Sequence, residues 1–128
     1  MRYPIKEAFE AKENAYAPYS NFKVGVALLC SDGSVYKGCN IENASYSVTL
    51  CAERAAIASA VSDGKRCFSA IVITGGEDYC FPCGVCRQTL VEFVDKDFKI
   101  IIAKNENETK VYKISELLPA AFELDIQK

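Results

Sequence analysis

Cys51, Glu53 and Arg54 bring a soft metal ligand, a carboxylate and a guanidinium together in Thr49-Leu50-Cys51-Ala52-Glu53-Arg54, at the head of an alanine-rich run. Further along, Pro82-Cys83-Gly84-Val85-Cys86-Arg87 supplies two more thiols. Three thiolates fill three corners of a zinc tetrahedron, and catalytic zinc sites keep the fourth for water. Glu53 is then a spare carboxylate, free to move protons. The chain has no histidine, so acid–base work falls to a carboxylate, tyrosine, cysteine or lysine.

Spacing supports this division. Cys83 and Cys86 are three apart and share a face if helical, and Cys51 and Arg54 repeat the interval, which sets the guanidinium beside its own thiolate. Glu53 joins the site only if the metal lies ahead of the helix N-terminus, where first-turn side chains border one space. Thr49 is the expected N-cap of that helix, and Pro82 suits the first turn of the second. Two helix N-termini facing one metal favour thiolate over thiol. Three thiolates bring roughly −3 to a +2 ion and leave it a poorer Lewis acid. Arg54, by hydrogen-bonding the sulfurs, draws charge back from the metal. Arg87, next to Cys86, is a second candidate whose direction the sequence leaves open.

The elements that must position these groups follow from patterning. Ile5, Phe9, Lys12 and Tyr16 form one stripe of an amphipathic helix over Pro4 to Tyr16, ended by Pro18. Phe22 to Ser31 and Val35 to Ile41 are strands joined by an Asp32-Gly33 hairpin turn. The loop Glu42 to Val48 leads to a helix over Leu50 to Val61, whose alanines predict close packing. Phe68 to Thr74 is a strand covered on both faces. A helix over Cys83 to Asp95 and a strand over Lys99 to Ala103 follow. Lys110 to Ile114 has too short a connection for a crossover and must pair antiparallel. Ser115 starts a short helix closed by Pro119. The fold class is α/β, a mixed five-stranded sheet with helices on both faces and the last strand antiparallel.

With 128 residues, half of them apolar, residues 1–128 make a single domain with a sizeable core. A formal charge of −2 gives no basic footprint for nucleic acid. No run is long enough to span a bilayer, and the first residues lack the apolar core of a signal peptide. Seven cysteines, an odd number, point to a reducing cytosol with metal or redox use rather than a disulfide scaffold. Cys30, Cys39 and Cys67 are expected as small buried hydrophobes.

Cys-x-Glu followed by Pro-Cys-x-x-Cys is the all-cysteine form of the zinc-deaminase signature. The chain resembles the cytidine deaminases of the small, free-nucleoside type over nearly its whole length. The resemblance rests on Tyr16-Ala17-Pro18-Tyr19-Ser20, Phe22-Lys23-Val24-Gly25, Gly38-Cys39-Asn40-Ile41-Glu42-Asn43, Cys51-Ala52-Glu53-Arg54 and Pro82-Cys83-Gly84-Val85-Cys86-Arg87-Gln88. It implies a three-layer fold and one Zn2+ per subunit, held by Cys51, Cys83 and Cys86, with water attacking C4 of the pyrimidine. Glu53 would take the water's proton, pass one to N3 and help ammonia leave. Phe22 would stack on the pyrimidine, and Ala52 would offer a backbone N–H to its carbonyl oxygen. In Asn40-Ile41-Glu42, the amide and carboxylate would hold ribose hydroxyls. Tyr46 and Phe122 match positions borrowed by neighbouring subunits of a homotetramer. The implied reaction is cytosolic salvage of cytidine and deoxycytidine to uridine and deoxyuridine, with no membrane or nucleic-acid partner.

Other readings stay open at this stage. Cys80 with Cys51, Cys83 and Cys86 would make a closed structural zinc. Cys83-x-x-Cys86 would make a redox pair, which leaves Cys51, Glu53 and Arg54 without work. Another aminopyrimidine nucleoside would fit the same chemistry. Phe22, Tyr46 and Phe122 are individually compatible with ordinary packing, Asn40 and Glu42 with strand-end polarity, and Arg54 with a surface position.

Overall fold

The computed structural model describes residues 2–124. Its strands β1 (Val24–Cys30), β2 (Val35–Cys39), β3 (Phe68–Gly75), β4 (Lys99–Ala103) and β5 (Thr109–Lys113) form one sheet in the order β2-β1-β3-β4-β5. β3 and β4 are parallel; β1–β2, β1–β3 and β4–β5 are antiparallel. The mixed sheet and its antiparallel last strand agree with the sequence reading.

Alternation along the central strands splits the core into two layers. Val26, Leu28, Ile71, Ile73, Ile100 and Ile102 face one way, where they meet Ala52, Ala56, Ile57 and Ala60 of α2 (Ala52–Ser62) and Leu90 of α3 (Gly84–Val91). Ala27, Ala70, Val72, Ile101 and Ala103 face the other way, against Ala8, Ile5 and Phe9 of α1 (Ile5–Glu13). Period-two strands between helices on both faces require apolar residues in both registers, and these runs supply them.

Gly38 sets how closely α2 lies on the sheet. A Cβ there would fall 2.4 Å from the Ala52 carbonyl oxygen and 2.6 Å from the Ala56 nitrogen. The absent side chain on β2 and the small residues on α2 therefore bring the helix N-terminus, with Cys51 and Glu53, down onto the sheet end.

Several boundaries differ from expectation. α1 ends at Glu13 rather than reaching Tyr16, because Asn14 closes it and the Tyr16 N–H leaves to bond the Asn40 carbonyl at 2.9 Å. The last strand gives up Ile114, which opens the short helix α4 (Ile114–Leu117) and packs into the larger core layer. α3 stops at Val91, and Phe93 and Val94 pack against the same layer from the turn that follows. Cys30 is buried as expected, Cys39 is half-buried and Cys67 is exposed. Among the described residues, no helix is long and apolar enough to cross a membrane.

Candidate active site

Cys51 is the N-cap of α2 and Cys83 the N-cap of α3, both with extended backbone. Cys86 sits in the first turn of α3 and is buried. The expected N-cap, Thr49, instead closes a short 3-10 turn (Tyr46–Val48), and its hydroxyl accepts the Asn43 N–H at 3.1 Å. Leu50 then pairs with Ile41, so the helix begins only after Cys51. Pro82 likewise precedes the N-cap of α3 rather than lying in its first turn.

Two helix N-termini thus converge through their own capping residues. Cys51 Sγ lies 4.0 Å from Cys83 Sγ, Cys83 Sγ lies 3.5 Å from Cys86 Sγ, and all three fall within 4.8 Å of one another. Sulfurs at tetrahedral corners about 2.3 Å from zinc stand about 3.8 Å apart, so this donor set fits the ion. Burial works against the Cys83 thiolate. Hydrogen bonds from the Cys86 and Val85 backbone N–H groups and from the neighbouring thiols prevail and hold its pKa below the ordinary range. Burial pushes the Cys86 thiol up, and the Glu53 charge and the neighbouring sulfurs push it in the same direction.

Cys80 lies outside this cluster. Its sulfur packs against β3, where a Cβ on Gly75 would come within 2.8 Å of it, and burial followed by the Glu53 charge lifts its pKa to about 11. That placement disfavours a closed four-sulfur centre. All seven cysteines are free thiols.

Glu53 is only 5% exposed, in the first turn of α2. Burial raises its pKa, opposed by hydrogen bonds from its own backbone N–H and the Cys86 thiol and by the Arg54 charge. The carboxylate therefore touches the sulfur cluster and is poised to hold or release a proton. Arg54 directs Nη2 to Cys51 Sγ at 3.5 Å and to the Thr49 carbonyl at 3.3 Å. Its pKa is raised, chiefly by the hydrogen bond to Cys51 Sγ, against a smaller opposing effect of burial. Its Nε is buried with no hydrogen-bond partner among the described residues. Arg87 turns away from the cluster, donating to the Pro82 carbonyl at 2.8 Å and the Leu117 carbonyl at 2.7 Å. It ties the loop before α3 to α4.

The stretch Asn40-Ile41-Glu42 lies between two other segments. Ile41 exchanges backbone hydrogen bonds with Leu50 at 2.9 Å each way, while Tyr16 N–H reaches the Asn40 carbonyl and Glu42 N–H reaches the Tyr16 carbonyl. This pairing delivers the residues before Cys51 to the same end of the sheet. The Asn40 amide spans the start of β1, accepting from Val24 N–H at 2.9 Å and donating to the Phe22 carbonyl at 2.8 Å. Phe22 itself is 46% exposed, with its ring against Gly76, whose φ is +59° and whose missing Cβ would sit 2.6 Å from the ring.

Glu42 lines a cavity of about 310 Å³ with Tyr19, Ser20, Asn43, Tyr46 and Thr49. Tyr46 packs edge-on against Tyr19 at 6.4 Å between ring centres. Phe122 is elsewhere, highly exposed beside α3, where its carbonyl accepts from Gln88 at 2.9 Å. Ala52 opens α2, so its N–H is among the first four that have no partner inside the helix. Sequence reasoning gave Ser20 no role, although its hydroxyl donates to the Glu42 carboxylate and accepts from the Phe22 N–H. A serine two residues before an aromatic strand start is the signal for such a turn. The Thr49 carbonyl, a partner of Arg54, carries no sequence signal.

Residues 1–102 match a family model described as the cytidine and deoxycytidylate deaminase zinc-binding region. The chain is 49% identical over 119 residues to a protein of Halalkalibacterium halodurans named cytidine deaminase, covering 92% of this chain and 90% of that one. A cytidine deaminase of Sporosarcina psychrophila is 46% identical over 119 residues, 92% of this chain and 88% of its own length. The crystal structure of a cytidine deaminase from Burkholderia pseudomallei superposes with a TM-score of 0.87 at 45% identity, over 92% of this chain and 95% of that one.

Proposed function

The chain belongs to the cytidine and deoxycytidylate deaminase family, and on that premise we propose that it hydrolyses cytidine and deoxycytidine to uridine and deoxyuridine with release of ammonia. One observation carries the reading: three sulfurs at zinc-fitting separations from two helix N-termini, with a buried carboxylate in contact with them. Zinc is the cofactor, held by Cys51, Cys83 and Cys86, and when bound it supplies Lewis acidity that lowers the pKa of water to about 7.

The chain's own residues handle the protons and the substrate. Glu53 accepts the proton of the attacking water, donates one to ring N3, and then serves the departing amino group. One carboxylate covers these roles because it is a base before addition at C4 and an acid after it. Burial supports the role, since it raises the carboxyl's pKa toward the range where both forms are accessible. Arg54 draws charge from the Cys51 sulfur. Phe22 presents its exposed ring to the pyrimidine, and the Ala52 N–H faces the carbonyl oxygen. Asn40, Ile41 and Glu42 border the sugar, with the carboxylate accepting from hydroxyls.

Residues 1–128 act as one catalytic domain, in a homotetramer where Tyr46 and Phe122 reach neighbouring sites. The exposed apolar side chains Tyr19, Ile41, Tyr46, Val48 and Phe122 support that assembly. Seven cysteines, none in a disulfide, support a reducing, cytoplasmic setting, and the acidic balance supports a nucleoside rather than a nucleic-acid partner.

The test is the ultraviolet absorbance change of cytidine on incubation with zinc-loaded protein, before and after chelator and with zinc restored. Turnover lost on stripping and regained with zinc is the expected result. Zinc-loaded protein that leaves cytidine unchanged would contradict the proposal.

A further inference from the structure

Ser20 stands between two groups that meet different halves of a nucleoside. Its hydroxyl donates to Glu42 Oε2, and Ser20 Oγ accepts the Phe22 N–H at 3.0 Å. Glu42 Oε1 accepts the Tyr19 N–H at 2.9 Å and the Ser20 N–H at 3.1 Å. The Phe22 carbonyl is held by Asn40 on its other side. Between Ser20 and Phe22 the chain turns through Asn21 at φ +57°, a left-handed conformation that asparagine tolerates better than most residues.

The polarity of this junction is fixed. An ionised carboxylate can only accept, so the serine proton is committed to Glu42 and its lone pair is left for Phe22. Three donors from residues 19 and 20 then orient Glu42 and hold it in the ionised form. The lone pairs remaining toward the cavity call for a donor such as a sugar hydroxyl. Without the hydroxyl, Oε1 keeps its backbone N–H partners while Oε2 is free to swing. The Phe22 N–H lies at an exposed position where water can replace the serine oxygen.

We propose that Ser20 is a positioning residue for nucleoside recognition, locking the sugar-facing carboxylate of Glu42 in register with the Phe22 ring. The proposal rests on the reading that Glu42 meets the sugar. It predicts a defect read through the hydroxyls of the substrate rather than through the metal or the stability of the fold.

Steady-state kinetics of zinc-loaded wild type, Ser20→Ala and Ser20→Thr on cytidine and on 2′,3′-dideoxycytidine test it. The dideoxynucleoside has the same base but no secondary hydroxyls. Ser20→Ala is expected to raise KM for cytidine about tenfold, the scale of one hydrogen bond to a charged group. Its kcat, zinc content and melting temperature should stay near wild type, and the dideoxynucleoside should lose about threefold or less. Ser20→Thr, which keeps a hydroxyl, should keep the wild-type preference for cytidine. Equal losses on both substrates, or equal losses in the alanine and threonine variants, would overturn the proposal. A wild type that shows no preference for cytidine over the dideoxynucleoside would instead remove Glu42 from the sugar, and the proposal with it.

Discussion

The metal end and the sugar end of the site are built from different materials. At the metal end, the capping residues of two helices and a buried first-turn glutamate converge over a sheet whose central strands are apolar in both registers. There α2 is seated by Gly38, and Arg87 ties the loop that leads into α3 to α4. At the end proposed to meet the sugar, Phe22, Asn40, Glu42 and Tyr46 come from the approach to a strand, a short paired segment and a 3-10 turn; Phe22 and Tyr46 are exposed, Glu42 is half-buried and Asn40 is buried. The carboxylate proposed to move protons is thus buried, and the groups proposed to recognise the substrate are on average more exposed and are linked by side-chain hydrogen bonds. Damage at the two ends should therefore appear in different kinetic constants.

The sharpest way to break this contrast is Glu53→Gln. Losing a general acid–base should lower kcat about 10²- to 10⁴-fold while zinc content stays at one per chain. Unchanged kcat would remove Glu53 from the chemistry. Arg54→Ala should also bind zinc and lose turnover about 10- to 100-fold, because its contact is with a ligand sulfur rather than the substrate. Wild-type turnover in that variant would end the charge-drawing role.

At the other end, Glu42→Gln should raise KM for cytidine about tenfold and leave kcat within a few-fold of wild type. A collapse of kcat with unchanged KM would erase the distinction between the ends. Cys80→Ser is expected to do least, with zinc retained and kcat within about twofold, since its sulfur packs on β3 outside the cluster. Zinc lost in that variant would revive the closed structural centre.

The metal end was the more legible in the sequence, for a local reason. Cys-x-Glu and Cys-x-x-Cys are short patterns whose spacing fixes geometry once a helix begins, and the Arg54–Cys51 contact follows from an interval of three. The sheet was legible too, because Ala70 to Ile73 and Ile100 to Ala103 carry continuous apolar runs. Helix starts were misjudged where tertiary pairing competes with propensity. Leu50 bonds to Ile41 instead of entering α2, which moves the cap from Thr49 to Cys51. The direction of Arg87 and the junction at Ser20 were not readable. Each depends on partners remote in sequence, Leu117 for one and Glu42 for the other, that only the folded sheet brings near.

The most direct test of the whole account is X-ray absorption at the zinc edge of the zinc-loaded protein. Three sulfurs at about 2.3 Å and one lighter atom at about 2.0 Å are predicted, the open coordination that hydrolysis requires. A shell of four sulfurs would mean the centre is closed, and would contradict a deaminase built on Cys51, Cys83 and Cys86.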